Sequence, residues 1–293
     1  MQTSYTSFER ILRIVMFVAI VLITITMVYP FWYVIIYALS DSNAAIEGSV
    51  LLWPLKPTLA VFHRLMGMKM LWTSYGNSIF VTFLGTILAV ALSTTLAYPL
   101  SIRRLRGRKW VSMMLFFTML FNGGMIPNYL LIKDLGLLDS RWSLILPSLM
   151  SAYNVMVLRS FFLGIPPELE ESASIDGASP LRVLVQIILP VSLPALAVQA
   201  MFYGVAYWNS YFDCVLYIES TDKMTLQAYL RTLIASATAS SSNSADSMGD
   251  FASLSNETVR MGCVAAAVIP VLLVYPWLQK YYVTGLVVGS VKG

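Results

Sequence analysis

Residues 14–40 read IVMFVAIVLITITMVYPFWYVIIYALS, an apolar run between Arg13 and Asp41 that holds no charged side chain. About 20 apolar residues cross the hydrocarbon of a bilayer, and a charge at its centre is costly. The run therefore reads as a membrane span. It is too long for the apolar region of a cleaved signal and lacks a convincing small-x-small cleavage site, so an uncleaved first span is expected. Further charge-free intervals follow at 70–102, 110–132, 142–158, 183–212 and 261–279. The fourth is short, but Arg141 and Arg159 at its ends can snorkel. These runs are continuous rather than alternating, unlike the strands of a β-barrel. The expectation is an all-α integral membrane protein with six transmembrane helices, the chain 1–293 forming a single transmembrane domain.

Composition points the same way. Hydrophobic residues make up 58% and charged residues 12% of the 293, against about 45–50% and about 25% in soluble domains. Mean hydropathy is +0.73. With 19 basic and 15 acidic residues there is too little charge for a nucleic-acid-binding face. Cys214 and Cys263 supply neither a disulfide framework nor a metal cluster, so no metal site is expected. His63 is the only histidine, and a Ser-His-Asp arrangement would have to hang on it. No catalytic residue is assigned.

Basic residues orient the spans. With the N-terminus inside, the cytoplasmic segments hold 11 basic and 5 acidic residues, leaving 8 and 10 for the other side. The short run from Arg103 to Lys109 contributes most of that bias, as the positive-inside rule requires. Both termini are therefore expected in the cytoplasm. Two outer loops are long: 41–69, with Trp53, Pro54 and Pro57, reads as an ordered excursion. Residues 213–260 contain a Ser-rich stretch from Ala235 to Asn256 whose middle should be mobile.

The loop 159–186 is unlike a mere connector. Its centre runs Ile165-Pro166-Pro167-Glu168-Leu169-Glu170-Glu171-Ser172-Ala173-Ser174-Ile175-Asp176-Gly177-Ala178-Ser179-Pro180-Leu181. Prolines at a helix start waste no hydrogen bond, and acids in a first turn suit the positive end of its dipole. Gly177 sits where a helix ends in a left-handed residue, and Ser179-Pro180 reads as the cap and first position of the next. A short helix over about 166–176, a sharp turn and a second helix leading into the membrane are predicted. Leu169, Ser172, Ala173 and Asp176 share one face, and the small side chains at 172 and 173 would admit a partner's backbone. An amphipathic helix on the lipid surface is the alternative, but four acids there would be repelled by anionic lipid.

Glu171-Ser172-Ala173, three residues, Gly177, nine residues, then Ile187-Ile188-Leu189-Pro190 is similar to the signature loop of bacterial ABC importer permeases. That pattern is Glu-Ala-Ala, three residues, Gly, nine residues, Ile-x-Leu-Pro, and the one departure is Ser172. Asp176-Gly177-Ala178 and the tail Gly289-Ser290-Val291-Lys292-Gly293 resemble the carbohydrate-uptake, maltose-permease-like branch. Phe121-Asn122-Gly123-Gly124-Met125-Ile126-Pro127 and Tyr207-Trp208-Asn209-Ser210-Tyr211-Phe212-Asp213 look like importers of complex polysaccharides or their oligomers, alginate-type systems among them.

The resemblance implies a multi-pass subunit of the bacterial cytoplasmic (inner) membrane. Its partners would be a second permease subunit, two ATPase subunits, an extracytoplasmic solute-binding protein and membrane lipid. This chain would bind no cofactor, ATP and Mg being held by the ATPases; it contains no Gly-rich phosphate loop. The loop helix, with Glu171, Ser172, Ala173, Asp176 and Gly177, would seat in a cleft on the ATPase. The tail, with Gly289, Lys292 and Gly293, would reach the ATPase dimer interface; its glycines at 285, 289 and 293 are expected to leave it no good helix. A secondary transporter of a small polar solute is the competing class, and it would want ionisable residues within the spans for ion coupling.

A sugar polymer needs aromatic faces with amide or hydroxyl partners. Tyr203, Tyr207 and Tyr211, spaced i, i+4, i+8, place three tyrosines on one helical face. Tyr203, Tyr207 and Asn209 are expected to line the translocation path or its outer gate, and Asn122 and Asn154 add amides. For Trp208 and Tyr211 an interfacial aromatic belt is an equal reading. Gly123-Gly124 either lets helices pack closely or breaks the third span.

Overall fold

The structure is a computed structural model. It describes residues 7–48, 50, 52–121, 123–239 and 254–290, the side chains of Ser7, Glu9, 237–239 and 277–290 excepted. Among the described residues every regular element is helical. In chain order the α-helices are α1 (Ser7–Ala38), α2 (Ser42–Glu47), α3 (Ala60–Gly67), α4 (Lys69–Ser101), α5 (Arg108–Leu120), α6 (Met125–Asp134), α7 (Trp142–Ile145) and α8 (Ala152–Leu163). There follow α9 (Glu168–Ile175), α10 (Pro180–Val183), α11 (Leu189–Val191), α12 (Leu193–Trp208), α13 (Phe212–Tyr217), α14 (Leu226–Ala239) and α15 (Asn256–Ser290). The chain divides into two compact units, Met1–Met68 with Leu230–Ile269, and Lys69–Tyr229 with Pro270–Gly293.

In the first unit α1 is apolar all round, and the hydroxyls of Thr24 and Thr26 donate to the carbonyls of Ile20 and Leu22 at 2.8 and 2.9 Å. A hydroxyl facing lipid has no better partner than its own helix. The excursion after α1 is ordered. Asp41 caps α2 by accepting from the amides of Asn43 and Ala44, while Ser40 donates to Ile36 O and accepts from Leu55 N. Ile36, Tyr37, Ala45 and Val50 form the small core beneath, packed by Tyr33, Leu55 and Met261.

The second unit is built on α4. Its buried stripe Val81, Gly85, Ala89, Ser93, Ala97 repeats every four residues with little bulk, so α12 can lie close along it. A Cβ added at Gly85 would sit 2.8 Å from ring carbons of Tyr207, which fills that groove. One cluster of buried residues gathers Val81, Ala89, Ile145, Tyr203, Tyr207 and Tyr217. A second gathers Ala97, Leu100, Leu158, Phe162, Ala173 and Val183.

Among the described residues three helices are long and apolar enough to cross a membrane alone: Arg10–Ala38, Lys69–Ser101 and Asn256–Pro276. The other three apolar intervals are broken. In 110–132, α5 stops at Leu120, Phe121 is extended and Gly124 takes φ +89° before α6 begins. The glycines at 123–124 therefore break the segment. The fourth interval bends by 50° between Trp142–Ser148 and Ala152–Leu163, and the fifth by 84° between Pro180–Val191 and Leu193–Trp208. Pro147, Pro190 and Pro194 lack the N–H that would continue the ladder; a π-helical turn at Leu184–Ile188 precedes the last break. The expectation for the tail is corrected: α15 stays helical through Gly285 and Gly289 to Ser290, since a glycine costs a helix only about 1 kcal/mol. Lys292 and Gly293 lie outside the described residues, as do Asn122 and 240–253 of the Ser-rich stretch.

Gly85→Val should push the Tyr207 ring out of its groove and cost about 1–3 kcal/mol by overpacking. Gly76→Ala, where the added carbon meets nothing within 4 Å, should be neutral or stabilising. Thermal melting of both purified variants checks the pair; equal melting points would contradict the seam described.

Candidate functional site

The acidic helix α9 and its turn follow the sequence reading closely. Gly177 takes φ +79°, and the Ser179 hydroxyl caps the next helix by accepting from Arg182 N, with Pro180 at its first position. Glu168, Glu171, Ser172 and Asp176 are exposed, as is Gly177. One detail differs from expectation. Ala173 is buried against Leu158, Phe162 and Val183 of its own chain, so its small side chain lets α9 lie close to the membrane helices rather than to a partner. Glu170 adds an ion pair of 3.6 Å to Arg104. Arg104 is 76% exposed, so the pair contributes at most about 1 kcal/mol. The buried Ala173 is the firmer anchor.

The expected path tyrosines point inward. Tyr203 and Tyr207 are 2% and 3% exposed, and any partner subunit could only bury them further. The Tyr203 hydroxyl lies 2.7 Å from Ser93 Oγ and accepts from Ser151 N at 3.1 Å. The Tyr207 hydroxyl donates to Ile145 O at 3.1 Å. Both partners flank the break between α7 and α8. The two residues are therefore corrected from path-lining to bracing. Tyr211 lies beyond the end of α12 and packs against the same cluster, so the expected three-tyrosine helical face is interrupted. Asn154 is buried at 7%, with its carbonyl accepting from Gln199 Nε2 at 2.9 Å. Asn209 alone of the described candidates is exposed, at the C-terminal cap of α12.

Two motifs from separate parts of the chain meet in a cleft of about 230 Å³. Gly124, Met125 and Asn128 line one side, Phe212, Asp213, Leu216 and Tyr217 the other. Sequence reasoning passed over Asn128 and Tyr217, which lie just beyond the C-terminal ends of the two motifs. Beside the cleft, Asp139 (φ +53°) clamps the segment after α13. Its carboxylate accepts from the amides of Glu219 and Ser220, from Ser220 Oγ and from Lys223 Nζ, the last two at 2.6 Å. Its own amide donates to Tyr217 O at 2.7 Å. Asn77 adds two bonds to the carbonyls of Asp222 and Met224, and Ser78 Oγ accepts from Leu226 N.

Broken apolar helices, a rigid polar cap at one end and an exposed acidic helix at the other define the membrane subunit of a transport machine. Residues 82–287 match the family described as binding-protein-dependent transport system inner membrane component, and the chain belongs to that family. It is 38% identical over 285 residues to the polygalacturonan/rhamnogalacturonan transport system permease protein YtcP of Bacillus subtilis, covering 97% of this chain and 99% of that one. It is also 38% identical over 268 residues to protein LplC of the same organism, covering 91% and 90%. Among solved structures, a chain of a bacterial ABC transporter involved in the import of the acidic polysaccharide alginate superposes with a TM-score of 0.86 at 34% identity. That match covers 95% of this chain and 99% of the other.

The Lys223 ammonium, then the Ser220 hydroxyl and amide, hold the Asp139 carboxyl well below the usual carboxylate range. A depressed folded value means that the clamp's stabilisation is complete above the unfolded value of about 4 and is lost only as pH falls through the lowered one. Amide-exchange protection at Glu219 and Ser220, corrected for intrinsic rates, should therefore hold from about pH 7 to about pH 4.5. Asp139→Asn should lower it at neutral pH. Loss of wild-type protection within that range would contradict the clamp.

Proposed function

We propose that this chain is one of two permease subunits forming the translocation path of an ATP-driven carbohydrate importer, with six spans and both termini in the cytoplasm. Three unbroken apolar helices and three bent pairs make six when each pair is counted once, and the basic bias of the short 103–109 loop favours that orientation. The family description supports a solute-binding protein as partner. Relatives named for polygalacturonan/rhamnogalacturonan transport and alginate import support a carbohydrate as cargo. ATP and Mg belong in this reading to two cytoplasmic ATPase subunits, so this chain is the non-catalytic member.

The observation that carries the reading is the geometry of α9. The helix is fastened to its own membrane helices through Ala173 and presents Glu168, Glu171, Ser172 and Asp176 outward. Ile175 and Leu181, on either side of the Gly177 turn, are 86% and 70% exposed. Apolar tips flanked by acids suit a cleft on a protein better than anionic lipid. A push on that tip reaches α4, α8 and α10 through one packed cluster. ATP binding then biases the membrane helices by population shift, a change of several kcal/mol between two states. Gly289, Lys292 and Gly293 are assigned to the ATPase interface by the same resemblance.

A Cβ added at Gly177 meets nothing within 4 Å, so a substitution there acts through backbone conformation alone. Gly177→Val should leave insertion and co-purification with the ATPases intact while abolishing ATPase stimulation by the loaded binding protein. Gly177→Asn, which tolerates left-handed backbone, should retain much of it. Normal stimulation in the Val variant would sink the assignment.

A further inference from the structure

We propose that the cleft between α6 and α13 is a subsite for one ring of an uncharged sugar, recognised by the Asp213 carboxylate and the Phe212 side chain. The inference rests on the carbohydrate reading above and narrows it. At about 230 Å³ the cleft falls below the roughly 300–1,000 Å³ of sites for drug-sized ligands. It has room for a single small ring.

Its walls carry the two kinds of surface that a sugar ring presents. Met125 and Phe212 are 52% and 58% exposed and Leu216 lies beside them. A large aromatic left open at a concave site suits the apolar face of a pyranose. The polar edge is met by the Asn128 amide, the Tyr217 phenol and the Asp213 carboxylate. Burial first, and the Asp213 charge second, push the Tyr217 hydroxyl up from the usual phenol range, so it remains a neutral donor.

Asp139 and Asp213 differ in what their carboxylates have left to offer. Asp139 is committed to four donors of its own chain. Asp213 receives the Ser210 hydroxyl at 3.4 Å, long for a bond to a carboxylate, which usually closes to about 2.5–2.7 Å. An ionised carboxylate has roughly four acceptor sites, so Asp213 retains capacity for a pair of sugar hydroxyls. The floor beneath it is preorganised. Tyr217 stacks on Tyr129 with centroids 6.4 Å apart, and the Asp139 clamp holds the segment that follows. Among the described residues, Asp213 is the only charged one lining the cleft. A uronate there would face a like charge with no cation among the lining residues, whereas a hydroxyl donor would not.

The test uses the assembled importer in proteoliposomes, with its ATPases and binding protein, offered a galactotriose and a trigalacturonate, which share a pyranose ring and differ in the charge at C6. The wild-type complex should favour the neutral trisaccharide. Asp213→Asn should lower neutral uptake about tenfold, the loss expected for a hydrogen bond to a charged group, without lowering uronate uptake, so the ratio collapses. A purely structural role would lower both sugars together. Asp213→Ser gives the same readout if the Asn variant does not co-purify with the ATPases. An unchanged ratio in the charge-removed variant, or a wild-type preference for the uronate, would overturn the subsite while leaving the carbohydrate reading standing. Uptake of neither sugar would overturn the carbohydrate reading itself.

Discussion

In the hydrocarbon of a bilayer no water is available to a free N–H or C=O, and each such group left unsatisfied costs several kcal/mol. That constraint governs the second unit, because its apolar segments are broken rather than straight. The break between α7 and α8 is repaired by polar side chains from α12. Tyr203 takes the amide of Ser151, and Tyr207 supplies a donor to Ile145 O, just ahead of the 3-10 turn Leu146–Ser148. Arg159 Nε reaches Leu100 O at 2.9 Å, at the end of α4 where carbonyls run out of partners. Ser192 N is shared between the carbonyls of Ile188 and Leu189. The α7–α8 break persists because α12, which mends it, is held close by small residues along α4.

This arrangement explains what the sequence could and could not disclose. Charge spacing located the apolar segments, because a charge is excluded from hydrocarbon whatever the helix does within it. The loop 165–181 was legible in detail, since proline, glycine and serine act there through local backbone geometry. The breaks at 121–124, 149–151 and 192 were less legible. Proline and glycine are tolerated in membrane helices, and whether they kink or break a segment depends on tertiary partners. The tyrosines were misread for a related reason. A hydroxyl that could recognise a sugar is chemically the same as one that mends a backbone, and only burial separates the two uses. The cleft was hidden because Gly124 and Asp213 come together only in the fold.

A division of labour follows along the second unit. At one end the polar network of Asp139, Asn77, Ser78 and Lys223 fixes the segment after α13 to the start of α4. At the other, α9 is seated on the apolar cluster that also holds the ends of α4 and α8. Between them lies the α4–α12 seam, closely packed at Gly85 and Tyr207.

The most direct test of the central claim is the unfolding free energy of Tyr203→Phe and Tyr207→Phe, read beside uptake per assembled complex. Each change deletes one oxygen and leaves a buried backbone group without its partner. The account predicts a loss of about 1–3 kcal/mol in each variant, with transport per assembled complex unchanged. Wild-type stability accompanied by a loss of uptake would contradict it, and would return both tyrosines to the translocation path.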